Sequence, residues 1–263
     1  MTKIAFVYVP EWEDRKIIRE LDTGLYIMDS SGTNKRLLLQ GTEFKYPKFS
    51  PDDKWIVFSY HTIWKVSLSG DSVIQLYDKA LSLEPSWSSD GSKIVFGSTE
   101  NSPIINRYQL WTVSSDGADI QQLLYKNSAI PGRYPWFTGS DEDITFLASP
   151  GARILDFSQQ KNTLDTLASE VYLASLNVLP DNQGFIYSHD NHVWKMSYNG
   201  TSRKRLSDLY ARHVSVCKDG WRLLFIAADA SSGYSTIWTM DVSGHNLRQL
   251  TNVKVNDGPA YRP

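Results

Sequence analysis

The sequence predicts an all-β fold: a single six-bladed β-propeller of four-stranded blades, its ring closed by the C-terminal strand pairing into the N-terminal blade. Three observations carry this. One order of features recurs six times along 263 residues, Trp and Gly keep fixed places within it, and the two chain ends each hold a complementary part of one repeat.

The first strand and its turn read PKFSPD at 47–52, PSWSSD at 85–90, PWFTGSD at 135–141 with one extra residue, LNVLPD at 176–181 and VSVCKD at 214–219. The fragment PAYRP at 259–263 stops where its turn should begin. Phe49, Trp87, Phe137, Val178, Val216 and Tyr261 therefore share one position, and their spacing averages the roughly 40–45 residues of a propeller blade. The second strand is a short apolar run in every copy, such as KIAFV at 3–7, WIVFS at 55–59 and LLFIA at 223–227. Apolarity on both faces fits a strand sandwiched between neighbouring blades. In the third strand Trp64, Trp111, Trp194 and Trp238 hold one register. A Gly turn follows at Gly32, Gly70, Gly117, Gly200 and Gly244, where hairpin geometry asks for positive φ. The fourth copy has Gln159 and Gln160 there instead. A leucine marks the last strand: Leu37, Leu76, Leu123, Leu167, Leu206 and Leu250. An irregular β-sandwich would fix none of these registers.

The predicted blades run over 1–41 plus 256–263, 45–78, 84–126, 133–168, 174–208 and 212–252. The chain opens on a second strand and closes on a first strand, so the two ends make one blade and leave no open edge. We expect a complete ring, or one excised from a longer protein.

The pattern Pro-x-Trp-Ser-x-Asp-Gly, Ile-x-Phe, Leu-Trp-x-Val, Asp-Gly, Leu resembles the TolB-like, WD40-like β-propeller repeat, most fully between Pro85 and Leu123. The likeness covers the whole chain, with the fourth and fifth copies degraded. It implies the fold and leaves the function open. Similar repeats occur in periplasmic TolB, in the gating propellers of prolyl-oligopeptidase-like peptidases and in oligogalacturonate lyases.

Composition narrows the partners. Net charge is −2 and no basic stripe appears, which argues against nucleic acid; Arg203, Lys204 and Arg205 read as a solvated strand. No apolar stretch is long enough to span a membrane. The one cysteine, Cys217, permits no intrachain disulfide and fits either cytosol or periplasm. No signal peptide is visible at the start, so the chain is cytoplasmic, or periplasmic or secreted after loss of a leader.

No nucleophile elbow, zinc motif, phosphate loop or EF-hand spacing is present, so no catalytic residue and no cofactor is expected. One arrangement could ligate a metal: His189, His192 and Asp190 in one connection, with His213 opening the next repeat. The surface-loop reading is preferred, and no metal is assigned. Tyr46, Glu84, Tyr134, Ser175, His213 and Gly258, each just before a first strand, are expected to enter the central channel. Three insertions, at 11–23, 99–108 and 228–235, are expected to enlarge the same face, the first with a short helical turn around Ile17, Ile18 and Leu21. The predicted contact set is Trp12, Arg107, Tyr134, Arg212, His213 and Tyr234, residue types common among interface hot spots. The leading function is a monomeric, non-catalytic scaffold that binds a protein or peptide on the loop-rich face and channel mouth. The alternatives are a carbohydrate-active lyase or hydrolase at that mouth and the gating propeller of a larger peptidase.

Overall fold

A computed structural model describes residues 3–8, 23–104, 107–138, 141–148, 153–169, 173, 175–180, 183–217, 220–228, 235–251 and 257–261. These contain strands and no α-helix, arranged as six four-stranded antiparallel sheets in a propeller ring. The inner strands are Lys45–Phe49, Ser82–Trp87, Gly132–Thr138, Ser175–Val178, Ala211–Val216 and, for the first blade, Asp257–Tyr261. The second strands are Lys3–Tyr8, Trp55–Tyr60, Lys93–Ser98, Asp143–Ala148, Gly184–His189 and Arg222–Ala228. The third strands and the outer strands follow in chain order within each blade. Arg203–Arg205 is an outer strand with all three residues exposed.

Blade-on-blade packing follows from the second strands. Ile4, Ile56, Ile94, Ile144, Phe185 and Leu223 are all 0% exposed, because each such strand has a neighbouring sheet on both faces. The core is six hydrophobic clusters, one per seam. Phe58 and Ile56 join Leu25 and Val7 across the first seam; Trp111 and Phe96 join Tyr77 and Ile63 across the second. The last cluster joins Ile4, Phe6 and Met28 of the first blade to Leu224, Ile226 and Ile237 of the sixth. The terminal strand completes that first blade, with Ile4 opposite Tyr261, Ala5 opposite Ala260 and Val7 opposite Asp257.

All four register tryptophans lie across from a Phe or Tyr of the second strand: Trp64 from Phe58, Trp111 from Phe96, Trp194 from Tyr187 and Trp238 from Phe225. Such aromatic cross-strand pairs are a main source of sheet stability. The Gly and Leu repeats turn out to be two sides of one contact. Gly32, at φ +89°, lies so close to the preceding blade that an added Cβ would be 2.3 Å from the Leu250 carbonyl oxygen. On the same measure the turns at Gly70, Gly200 and Gly244 come within 3.1, 2.9 and 3.0 Å of Leu38, Leu167 and Leu206, and that at Gly117 faces Leu76 at a looser 3.5 Å. In the first blade the contact falls on Leu38, one residue beyond the Leu37 that the sequence spacing marks.

The lone cysteine has a local structural role. Ser50 and Ser88 end their inner strands with a hydroxyl that accepts the backbone N–H of Trp55 and Lys93. Buried Cys217 occupies the equivalent place and its sulfur accepts the Arg222 N–H at 3.0 Å.

Candidate functional site

In four inner strands the same feature recurs. Tyr46, Glu84, Tyr134 and His213 lie inside their strands at φ +52°, +61°, +50° and +51°, each where the ladder shifts register against the second strand. The sequence suggests positions just ahead of the strands; the difference is this bulge, which inserts one residue and re-aims its side chain. Pro47, Pro85 and Pro135 follow three of the four, and Pro259 follows Gly258 in the closing strand. Ser175 is the exception, in a strand whose pairing is unshifted, its hydroxyl bonded to that of Ser188 at 2.8 Å.

The bulged residues line one end of the central channel together with Lys48, Trp136, Asn177 and Pro259. Tyr46 meets Tyr134 edge-on with ring centroids 6.4 Å apart and lies 6.3 Å from the His213 ring. These rings leave a mouth of only about 40 Å³. Arg212 is exposed beside it and reaches the Ser235 hydroxyl at 3.5 Å.

Glu84 is the carboxylate of the mouth, and it is engaged. Its side chain is 3% exposed, ion-paired with Arg133, and accepts the Tyr134 backbone N–H at 2.7 Å. Burial pushes the Glu84 carboxyl above its ordinary value, against the pull of the Arg133 charge and the Tyr134 N–H. Burial alone disfavours the Arg133 charge, but Glu84 more than compensates, so the guanidinium holds its proton more tightly than a solvated one. Arg133 also stacks over Tyr134, 5.0 Å from the ring centroid.

Replacing Arg133 with Met should therefore strand a buried carboxyl. The expected loss is about 3 kcal/mol, the low end for a broken buried pair because Arg133 is 34% exposed. A carboxyl whose folded pKa exceeds its unfolded one contributes stability while protonated and loses it as pH rises through the folded value. The deficit of the variant, read from urea melts, should thus shrink on acidification and grow towards neutral pH.

Lys48 and Trp136 form a septum in the channel, with the Lys48 ammonium 4.4 Å from the Trp136 ring centroid. Below them lies a vestibule of about 380 Å³ that opens among the turns joining first to second strands. Its walls include Trp87, Trp136 and Phe137, and its rim includes Pro51, Ser89, Asp141 and Pro180. Asp141 caps the rim by accepting the Ser89 N–H at 2.8 Å. Nothing in the sequence marks this vestibule, since its lining comes from ordinary inner-strand positions.

The predicted contact residues divide. Tyr134 and His213 line the mouth and Arg212 flanks it. Arg107 lies elsewhere, on a cavity between the third and fourth blades. Trp12 and Tyr234 fall outside the described residues, as do the helical turn around Ile17 and most of the 228–235 insertion. The histidines do not converge: His189 pairs with His192 across a hairpin, with His192 Nδ1 2.7 Å from the Asp190 carbonyl oxygen, whereas His213 stands in the mouth. Among the described residues no three His, Cys, Asp or Glu side chains gather as a metal site. No described helix is long and apolar enough to cross a membrane.

No protein-family model and no curated protein matches the sequence. Solved structures do. TolB from Acinetobacter baumannii matches with a TM-score of 0.80 at 17% identity, over 99% of this chain and 66% of that one. The chain thus spans about two thirds of that TolB's length. A structure of a nidogen/laminin complex matches at TM-score 0.74 and 12% identity, over 99% of this chain and 98% of that one. An oligogalacturonate lyase in complex with manganese matches at TM-score 0.55 and 14% identity, over 86% and 70%. At these identities the likeness is one of fold, and the fold is the six-bladed, TolB-like β-propeller.

Proposed function

We propose that the chain is a non-catalytic scaffold that binds a protein or peptide at the channel mouth of the loop-rich face. The observation that carries the reading is the strained rim. Four of the six inner strands hold a non-glycine residue in left-handed backbone, at about 1–2 kcal/mol each, and all four line the mouth. Two Tyr, one His and a flanking Arg on a rigid ring are contact chemistry. Glu84, tied to Arg133 and Tyr134, is poorly available for acid–base work, which weighs against a lyase or hydrolase at this end. The nidogen/laminin structure lends general support, because its propeller-like chain was solved in a protein complex. A second reading rests on the vestibule: at about 380 Å³ it could admit a ligand from the turn face.

The test is mutational, on a partner captured by affinity. Alanine at Tyr134, Arg212 and His213 should together weaken binding about tenfold or more without lowering Tm. Alanine at Asp90, Asp116 and Ser243, on the turn face, should leave it unchanged. Loss of binding in Trp87→Ala with the rim variants intact would transfer the function to the vestibule. Retention of a saccharide by the mouth, with no protein bound, would favour the carbohydrate-active alternative.

A further inference from the structure

We propose that the seam between the third and fourth blades binds a small amphipathic carboxylate: a free aliphatic acid whose head sits on Arg107 and Arg153. The seam holds a cavity of about 280 Å³. Its floor is apolar and buried, with Phe146 0% and Leu155 7% exposed. An apolar cavity of about 150 Å³ accommodates benzene, so this one suits a chain of about eight to ten carbons.

The cavity has a wall of its own. The link 123–131 between these blades forms a hairpin, Leu124–Tyr125 with Ser128–Ala129, and no other link between blades does so among the described residues. Lys126 and Asn127, at φ +49° and +64°, make its two-residue turn of the primed type. Tyr125 and Ser128 from this hairpin face the cavity.

The charge is one-sided. Arg107 lies two residues before the third strand of the third blade and Arg153 immediately before that of the fourth, so adjacent blades each contribute an arginine to the lining of one cavity. Among the described residues neither side chain has a hydrogen-bond or ion-pair partner and no carboxylate lines the cavity. Lys126, 5.0 Å from the Tyr125 ring centroid, adds a third positive charge at the wall. Guanidinium forks match carboxylate oxygens in geometry as well as charge. A peptide C-terminus carries the same head, but its amides would find only the Ser128 and Tyr125 hydroxyls among the lining side chains. Buried amides without partners are costly, which favours the plain aliphatic acid.

Octanoate titrated into the full chain, followed by calorimetry and by Tm, reads this directly. A single site and a raised Tm are expected, with octan-1-ol binding at least tenfold more weakly because it lacks the charge. Arg107→Met with Arg153→Met should abolish octanoate binding while leaving the ligand-free Tm unchanged, since neither guanidinium is paired. If that double variant fails to fold, Ala129→Phe fills the cavity, leaves the charges in place and should also abolish binding. The proposal is overturned if octanoate does not bind at millimolar concentration, if octan-1-ol binds equally well, or if the folded variants retain it. Preferential binding of an acetylated tripeptide ending in a free leucine carboxylate would overturn the choice of an aliphatic acid.

Discussion

Deletion of residues 256–263 is expected to abolish cooperative unfolding. The strand Asp257–Tyr261 is the innermost strand of the first blade, paired to Lys3–Tyr8. Ala260, 2% exposed, packs in one cluster with Phe49 and Phe58 of the second blade, and Pro259 lines the channel. Without it the Lys3–Tyr8 strand presents an unpaired edge, and the seam that holds Ile4 and Phe6 against Leu224 and Ile226 lies open. A thermal melt followed by near-ultraviolet circular dichroism, together with light scattering, should show a broadened transition and association. A truncated chain with the melting curve of the intact one would mean that the ring is held by its other seams.

Trp111→Ala is expected to cost about 3–5 kcal/mol, the range for a large buried aromatic. Trp111 is 6% exposed and packs in one cluster with Tyr77 and Ile63 across the seam between the second and third blades. Its repeat counterpart Trp238 is half-buried, with its indole N–H on the Thr236 hydroxyl at 2.9 Å, and Trp238→Ala should cost about 2 kcal/mol. Equal repeat position thus does not mean equal burial. The Trp111 indole N–H is buried without a hydrogen-bond partner among the described residues, so Trp111→Phe should recover much of the alanine loss. Urea midpoints at constant m-value decide the order; a near-neutral Trp111→Ala would contradict the packing.

The repeat was legible because blade packing imposes it residue by residue. Trp111 must meet Phe96, and Gly32 must clear the Leu250 carbonyl, so each seam writes its requirement into the sequence at a constant interval. The channel positions were legible too, though not their conformation. That Tyr46, Glu84 and Tyr134 each precede a Pro was visible, yet a left-handed residue inside a strand is not what an extended pattern suggests. Three-dimensional convergence was the part that spacing could not supply. Arg107 stood out as an arginine in an insertion, but its companion Arg153 comes from the next blade, with nothing local to mark it. His189 and His192 look close to His213 in sequence, yet the first two share the hairpin between the second and third strands of their blade and the third stands at the channel.

Hydrogen exchange of the free and partner-bound chain tests the functional account most directly. Binding at the rim predicts added protection at residues 45–46, 133–134 and 211–214, where the inner strands reach the mouth. The turns at 50–54 and 88–92, on the vestibule side, should exchange as they do in the free chain. Protection confined to those turns, with the rim unchanged, would contradict it.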